Sequence, residues 1–130
     1  MIADASALLA YLRTEEGGDA VEARLPSPML SVVNLAEVQK RMLSEIGTDP
    51  RRITSDLVAS GVTLLRPDEG VAAASRYALL PTPKGHRSVS LADGFCIAQA
   101  EALDLPLLTA DRVWADLGLP VRVELLRQPR

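Results

Sequence analysis

Four carboxylates in this chain fall at positions where an α/β fold does its chemistry: Asp4, Glu37, Asp93 and Asp111. Asp4 follows the short aliphatic run Ile2-Ala3 directly, and Asp111 comes two residues after Pro106-Leu-Leu-Thr109. Glu37 is expected in the first turn of a helix leaving a strand over Met29 to Val33. In a parallel sheet such handovers share one edge, at the carboxyl ends of the strands, and that edge is where these folds bind ligands. Asp93 joins from the first turn of a helix over Ser90 to Leu103, although loop rather than strand precedes it. Carboxylates gathered in this way repel, each pair at ~4 Å by about 1 kcal/mol in water and several times more in a protein. A hard divalent cation removes the conflict, and a site of oxygens alone suits Mg²⁺, with Mn²⁺ as a substitute, better than zinc. The chemistry of such a site is phosphodiester hydrolysis.

Each acid also fits a plainer role. Asp4 and Asp111 have the position of helix N-caps, and both Asn34-Leu-Ala-Glu37 and Ser90-Leu-Ala-Asp93 match a capping box. Taken one at a time, capping accounts for every one of them. It does not account for acids on one common edge, set in runs apolar enough to bring them close to the core.

The elements that must position these acids follow from hydrophobic period. Strands are expected at Ile2 to Ala3, Met29 to Val33, Gly61 to Arg66, Leu105 to Leu108 and Val121 to Leu126. Between them lie segments of helical period near 5–13, 18–25, 34–46, 50–59, 69–80, 90–103 and 112–117, punctuated by Gly17-Gly18, Pro26, Pro28, Gly47, Pro50 and Pro67. Such alternation reads as an α/β layer fold with a mainly parallel sheet of about five strands. No repeat, low-complexity tract or linker interrupts it, so residues 1–130 are expected to form a single domain.

Composition narrows the function. With 14 Lys and Arg against 17 Asp and Glu the net charge is −3, which argues against a broad nucleic-acid coat. Four aromatics are too few for a base-stacking platform. A polyanion would have to be met at a local site, where bound cations reverse the potential. A single cysteine, Cys96, allows neither an internal disulfide nor a Cys-rich zinc site, and reads as a buried apolar residue of a reduced, cytoplasmic protein. The first residues lack a basic segment before an apolar run, and no stretch is long enough to span a bilayer.

The segment Leu80-Pro-Thr-Pro-Lys84-Gly-His86-Arg87 reads as an exposed loop, either a solvated connector or a phosphate-contacting element. Lys84 and Arg87, with Arg112 beside Asp111, are the candidate substrate-binding cations. Arg112 could equally pair with an acid, and Lys40 and Arg41 share a helical face with Glu37, where an ion pair is the simpler expectation. His86 is an exposed loop histidine, Trp114 a core residue, and Asp116 a solvent-facing acid.

The four acids sit in strings that resemble a known family. Asp4-Ala-Ser6, Ser31-Val-Val-Asn-Leu-Ala-Glu37-Val, Ser90-Leu-Ala-Asp93-Gly-Phe-Cys-Ile-Ala and Leu108-Thr109-Ala-Asp111-Arg-Val-Trp114 resemble the four acidic motifs of PIN domains, in the order and spacing of the VapC toxins. The likeness spans nearly the whole chain. It implies a three-layer α/β/α sandwich and a metal-dependent endoribonuclease, the toxin of a toxin–antitoxin pair, restrained by a VapB-type antitoxin and forming homodimers. By motif, Asp4, Glu37, Asp93 and Asp111 would be the catalytic and metal-binding acids, with Ser6 and Thr109 orienting carboxylates or water. Alanine at position 5 departs from the hydroxyl residue often found there, while Ser6 remains. The resemblance also implies that Glu37 positions or deprotonates water, that the products carry 3′-hydroxyl and 5′-phosphate ends, and that a partner segment bearing a basic side chain covers the cleft.

Three other readings remain. A response-regulator receiver shares the length and the acid edge, but here Gly61 to Leu65 ends in Arg66-Pro67 and no lysine ends a late strand. A non-catalytic interaction module would be expected to have lost one of the acids. An RNA-processing nuclease outside a toxin pair would carry the same site.

Overall fold

The computed structural model describes residues 1–68 and 70–126. Five strands, β1 (Ile2–Ala3), β2 (Met29–Ser31), β3 (Thr63–Leu65), β4 (Leu107–Thr109) and β5 (Val123–Leu125), form one all-parallel sheet in the order β3-β2-β1-β4-β5. The helices are α1 (Ala5–Leu12), α2 (Gly18–Glu22), α3 (Val32–Ile46), α4 (Pro50–Ala59), α5 (Val71–Tyr77) and α6 (Leu91–Leu103), with a 3-10 turn over Arg112–Asp116.

Side chains alternate across the strands and so build two separate cores. Ala3, Leu30 and Leu108 face one way, onto Leu8, Val21, Val38, Ile53 and Leu57 of α1 to α4. Ile2 and Leu107 face the other way, onto Cys96, Ile97, Ala100 and Trp114. The result is the α/β/α sandwich, with Cys96 and Trp114 in the core as expected.

Local chemistry sets the helix starts. Asp4, Ser31, Asp49 and Asp111 cap the segments that follow them through side-chain oxygens, and Pro50 opens α4 at a position that needs no amide donor. Ser90 and Asp93 form a reciprocal capping box at α6. Against α5 the packing is close: a Cβ at Gly94 would stand 2.5 Å from the Ala74 carbonyl oxygen, so only glycine fits.

Several expected boundaries differ. β2 stops at Ser31, and Val32 and Val33 belong to α3, because the Ser31 hydroxyl accepts from the Val33 amide and starts the helix there. Glu37 therefore lies in the second turn rather than the first, and Asn34 is not a cap. The late strand runs Leu107–Thr109 rather than Leu105 to Leu108, which brings Thr109 into the sheet. The segment near 112–117 is a 3-10 turn. The expected helices near 18–25 and 69–80 shorten to α2 and α5, while Glu69 lies outside the described residues.

Candidate active site

Asp4 sits where β1 becomes α1, 1% exposed, with both carboxylate oxygens engaged. One oxygen accepts from the Ser6 hydroxyl (2.7 Å) and the Ala7 amide (2.9 Å), the other from the Thr109 hydroxyl (2.6 Å). Burial pushes its pKa up from 3.8 to about 6, against these hydrogen bonds, with the Asp93 charge adding to the rise. Charge at Asp4 is thus costly where it stands.

The same hydroxyls hold the backbone at Ala110 and Asp111. Ser6 Oγ accepts from the Ala110 amide (3.0 Å), and Thr109 Oγ1 from the Asp111 amide (3.0 Å). Asp111 is half-buried and caps the 3-10 turn through the Val113 amide at 3.1 Å. Ser6 and Thr109 thus hold the Asp4 carboxylate and accept from the backbone at Ala110 and Asp111.

Asp93 is 2% exposed; its Oδ2 accepts from the Ser90 amide at 3.0 Å and lies 3.7 Å from the Arg87 guanidinium. Glu37 faces it from α3. Partial burial raises the Glu37 pKa, the Asp93 charge raises it further, and Arg87, Arg41 and Lys40 oppose the rise. Glu37 Oε2 is buried with no hydrogen-bond partner. Cys96 lies beneath the acids, its thiol pushed well up by burial and then by Asp4, Asp93 and Glu37.

Asp93 is thus within the fields of both Asp4 and Glu37, and the Asp111 backbone is tied to Asp4 through Thr109. Among the described residues, however, no three acidic, histidine or cysteine side chains close into a ready metal cage. Asp4, Asp93 and Asp111 each spend a carboxylate oxygen on a helix cap. The set still fits a hard cation in kind, being all oxygen, with a buried orphan at Glu37 and a disfavoured charge at Asp4.

The candidate substrate cations divide. Arg87 leans on Asp93, whereas Lys84 and Arg112 are exposed and form no ion pair among the described residues. Arg41 pairs with the exposed Glu45 at 2.9 Å and acts on half-buried Glu37 only through its charge. His86 and Asp116 are exposed, as expected.

Sequence reasoning gave Asn34 the wrong role. It is fully buried, and its amide Nδ2 donates to the Ala92 carbonyl at 3.1 Å, across from α3 to the first turn of α6. Its signal was available: a polar residue one turn before Glu37, on the apolar face that includes Leu35 and Val38.

A model of the PIN domain family matches residues 1–119. The chain belongs to the PIN domain family. Solved structures share the fold over nearly its full length. A toxin–antitoxin complex from Klebsiella pneumoniae is 20% identical with a TM-score of 0.68, covering 98% of both chains. Mycobacterium tuberculosis VapC20, a toxin described as cleaving the sarcin-ricin loop, is 14% identical with a TM-score of 0.72 over 98% of both. VapBC-5 from the same organism is 26% identical with a TM-score of 0.58, covering 98% of this chain and 97% of that one. No curated protein matches. No helix among the described residues is long and apolar enough to cross a membrane.

Proposed function

We propose that this PIN domain is a cytoplasmic, Mg²⁺-dependent endoribonuclease, acting as the toxin of a VapBC-type pair and as a homodimer. The observation that carries the reading is the acid set: a buried Asp4 clamped by Ser6 and Thr109 in the field of Asp93, which also acts on Glu37, with the Asp111 amide held by Thr109. Its structural neighbours, which include VapBC and other toxin–antitoxin complexes, support the toxin role and an antitoxin partner.

Asp4, Glu37, Asp93 and Asp111 would hold Mg²⁺ or Mn²⁺. When bound, the cation supplies a Lewis acid for the phosphate oxygens and makes water easier to deprotonate. The chain's own residues divide the remaining work. Ser6 and Thr109 hold the Asp4 oxygens in a fixed orientation. Glu37, with an unpartnered oxygen and a raised pKa, takes the proton of the attacking water. Arg87, on an exposed loop, meets the RNA phosphate beside Asp93, with Lys84 and Arg112 as further contacts. Attack by water leaves a 3′-hydroxyl and a 5′-phosphate. The lone, exposed His86 cannot supply the acid and base pair of a 2′-hydroxyl mechanism.

The test is cleavage of pooled cellular RNA by the purified, antitoxin-free chain with Mg²⁺ or EDTA, beside Asp93→Asn. Discrete products only with Mg²⁺, absent in the variant, are expected. Intact RNA in the presence of folded protein would overturn the nuclease reading in favour of a non-catalytic PIN-fold interaction module.

A further inference from the structure

We infer that Asn34 is a positioning residue that sets the approach of Glu37 to Asp93, and through it the affinity of the site for a divalent cation. The inference rests on the metal-site reading above. Glu37 and Asp93 come from different helices, and their like charges act on each other, so nothing in the pair itself holds α3 to the start of α6. Asn34 supplies the tie. It lies three residues before Glu37, hence on the same face of α3, and its Nδ2 donates to the carbonyl of Ala92, the residue directly before Asp93. Among the described residues this is the one side-chain hydrogen bond between α3 and α6.

The rest of the Asn34 side chain argues against a role in stability alone. Asn34 is 0% exposed, yet its Oδ1 has no hydrogen-bond partner. A buried acceptor without a donor is unfavourable, and leucine, with the same branched skeleton though larger, would avoid it amid the neighbouring Leu35 and Val38. What leucine cannot do is bond the Ala92 carbonyl. On its other side α6 is seated against α5 at Gly94, where a Cβ would meet the Ala74 carbonyl at 2.5 Å. The first turn of α6 is thus held from both sides, and removing the Asn34 bond frees it on the side that faces Glu37.

The experiment titrates Mn²⁺ into the metal-free native chain, Asn34→Leu and the smaller Asn34→Ala by calorimetry, and records the thermal midpoint of each without metal. In folded Asn34→Leu the Mn²⁺ Kd should weaken at least fivefold, whatever midpoint its larger side chain gives. Saturating Mn²⁺ should then restore most of the RNA cleavage rate. Asn34→Ala, which also lacks the bond, should weaken Mn²⁺ binding to the same degree whatever its midpoint. A Kd within twofold of native in either folded variant would overturn the inference, as would failure of both to fold, which would make Asn34 purely structural. Absence of Mn²⁺ binding by the native chain would instead overturn the metal-site reading beneath it.

Discussion

Asp4 is the residue whose setting makes the clearest physical demand. Its folded pKa of about 6 stands above the ordinary 3.8, so between those values the native state holds a proton that the unfolded chain has released. Stability without metal is therefore greater below this window and declines as pH rises through it. A shift of this size corresponds to on the order of 2 to 3 kcal/mol. Chemical denaturation in EDTA across this pH range should show the decline in the native chain and a flatter profile in Asp4→Asn, which has no such proton to lose. The same substitution should abolish RNA cleavage, so that a change which relieves the metal-free fold removes activity. Parallel pH profiles for the two proteins would contradict this account of Asp4.

At the scale of elements, the handover from strand to helix does most of the positioning, and this is where the sequence was most and least legible. Two residues of β1 followed by Asp4, and the Ser90 to Asp93 capping box, could be read directly because both signals are local. The start of α3 could not: Val32-Val33 continues the β-branched character of the strand, and the deciding contact is the Ser31 hydroxyl on the Val33 amide. Nor could the clamp on Asp4, which needs Thr109 from more than a hundred residues away. Whether Arg41 pairs with Glu37 or Glu45 is a choice between neighbours on one helix that spacing alone leaves open.

Two predictions belong to these elements. Gly94→Ala should force α5 and α6 apart at Ala74, lowering stability by roughly 1 to 3 kcal/mol in a thermal or denaturant melt. Arg87 belongs to the Pro-rich loop and is more than half exposed beside Asp93, so its pair contributes little to stability. Arg87→Gln should leave the melt unchanged and Mn²⁺ affinity undiminished, while weakening RNA binding by about fivefold or less, measured by fluorescence anisotropy with Mn²⁺ present.

For the whole molecule, the balance of charge decides how a polyanion can be met. A chain of net charge −3 with its acids gathered at one sheet edge repels RNA at the place where chemistry would occur. RNA binding, and not only cleavage, should therefore weaken when EDTA is added, and equal RNA affinity with and without the cation would contradict a metal-mediated approach. The α/β/α layering itself is expected to be indifferent to the cation, because the two cores on either side of the sheet hold it without one.

The central claim is that these carboxylates direct water, rather than a ribose hydroxyl, at phosphorus. The most direct measurement is the chemistry of the product ends after Mg²⁺-supported cleavage of a labelled RNA, read by kinase and phosphatase sensitivity and by mass spectrometry. The account predicts 5′-phosphate and 3′-hydroxyl ends, formed by the native chain and lost with Asp93→Asn. Ends carrying 2′,3′-cyclic phosphate, or cleavage that persists in EDTA, would contradict it.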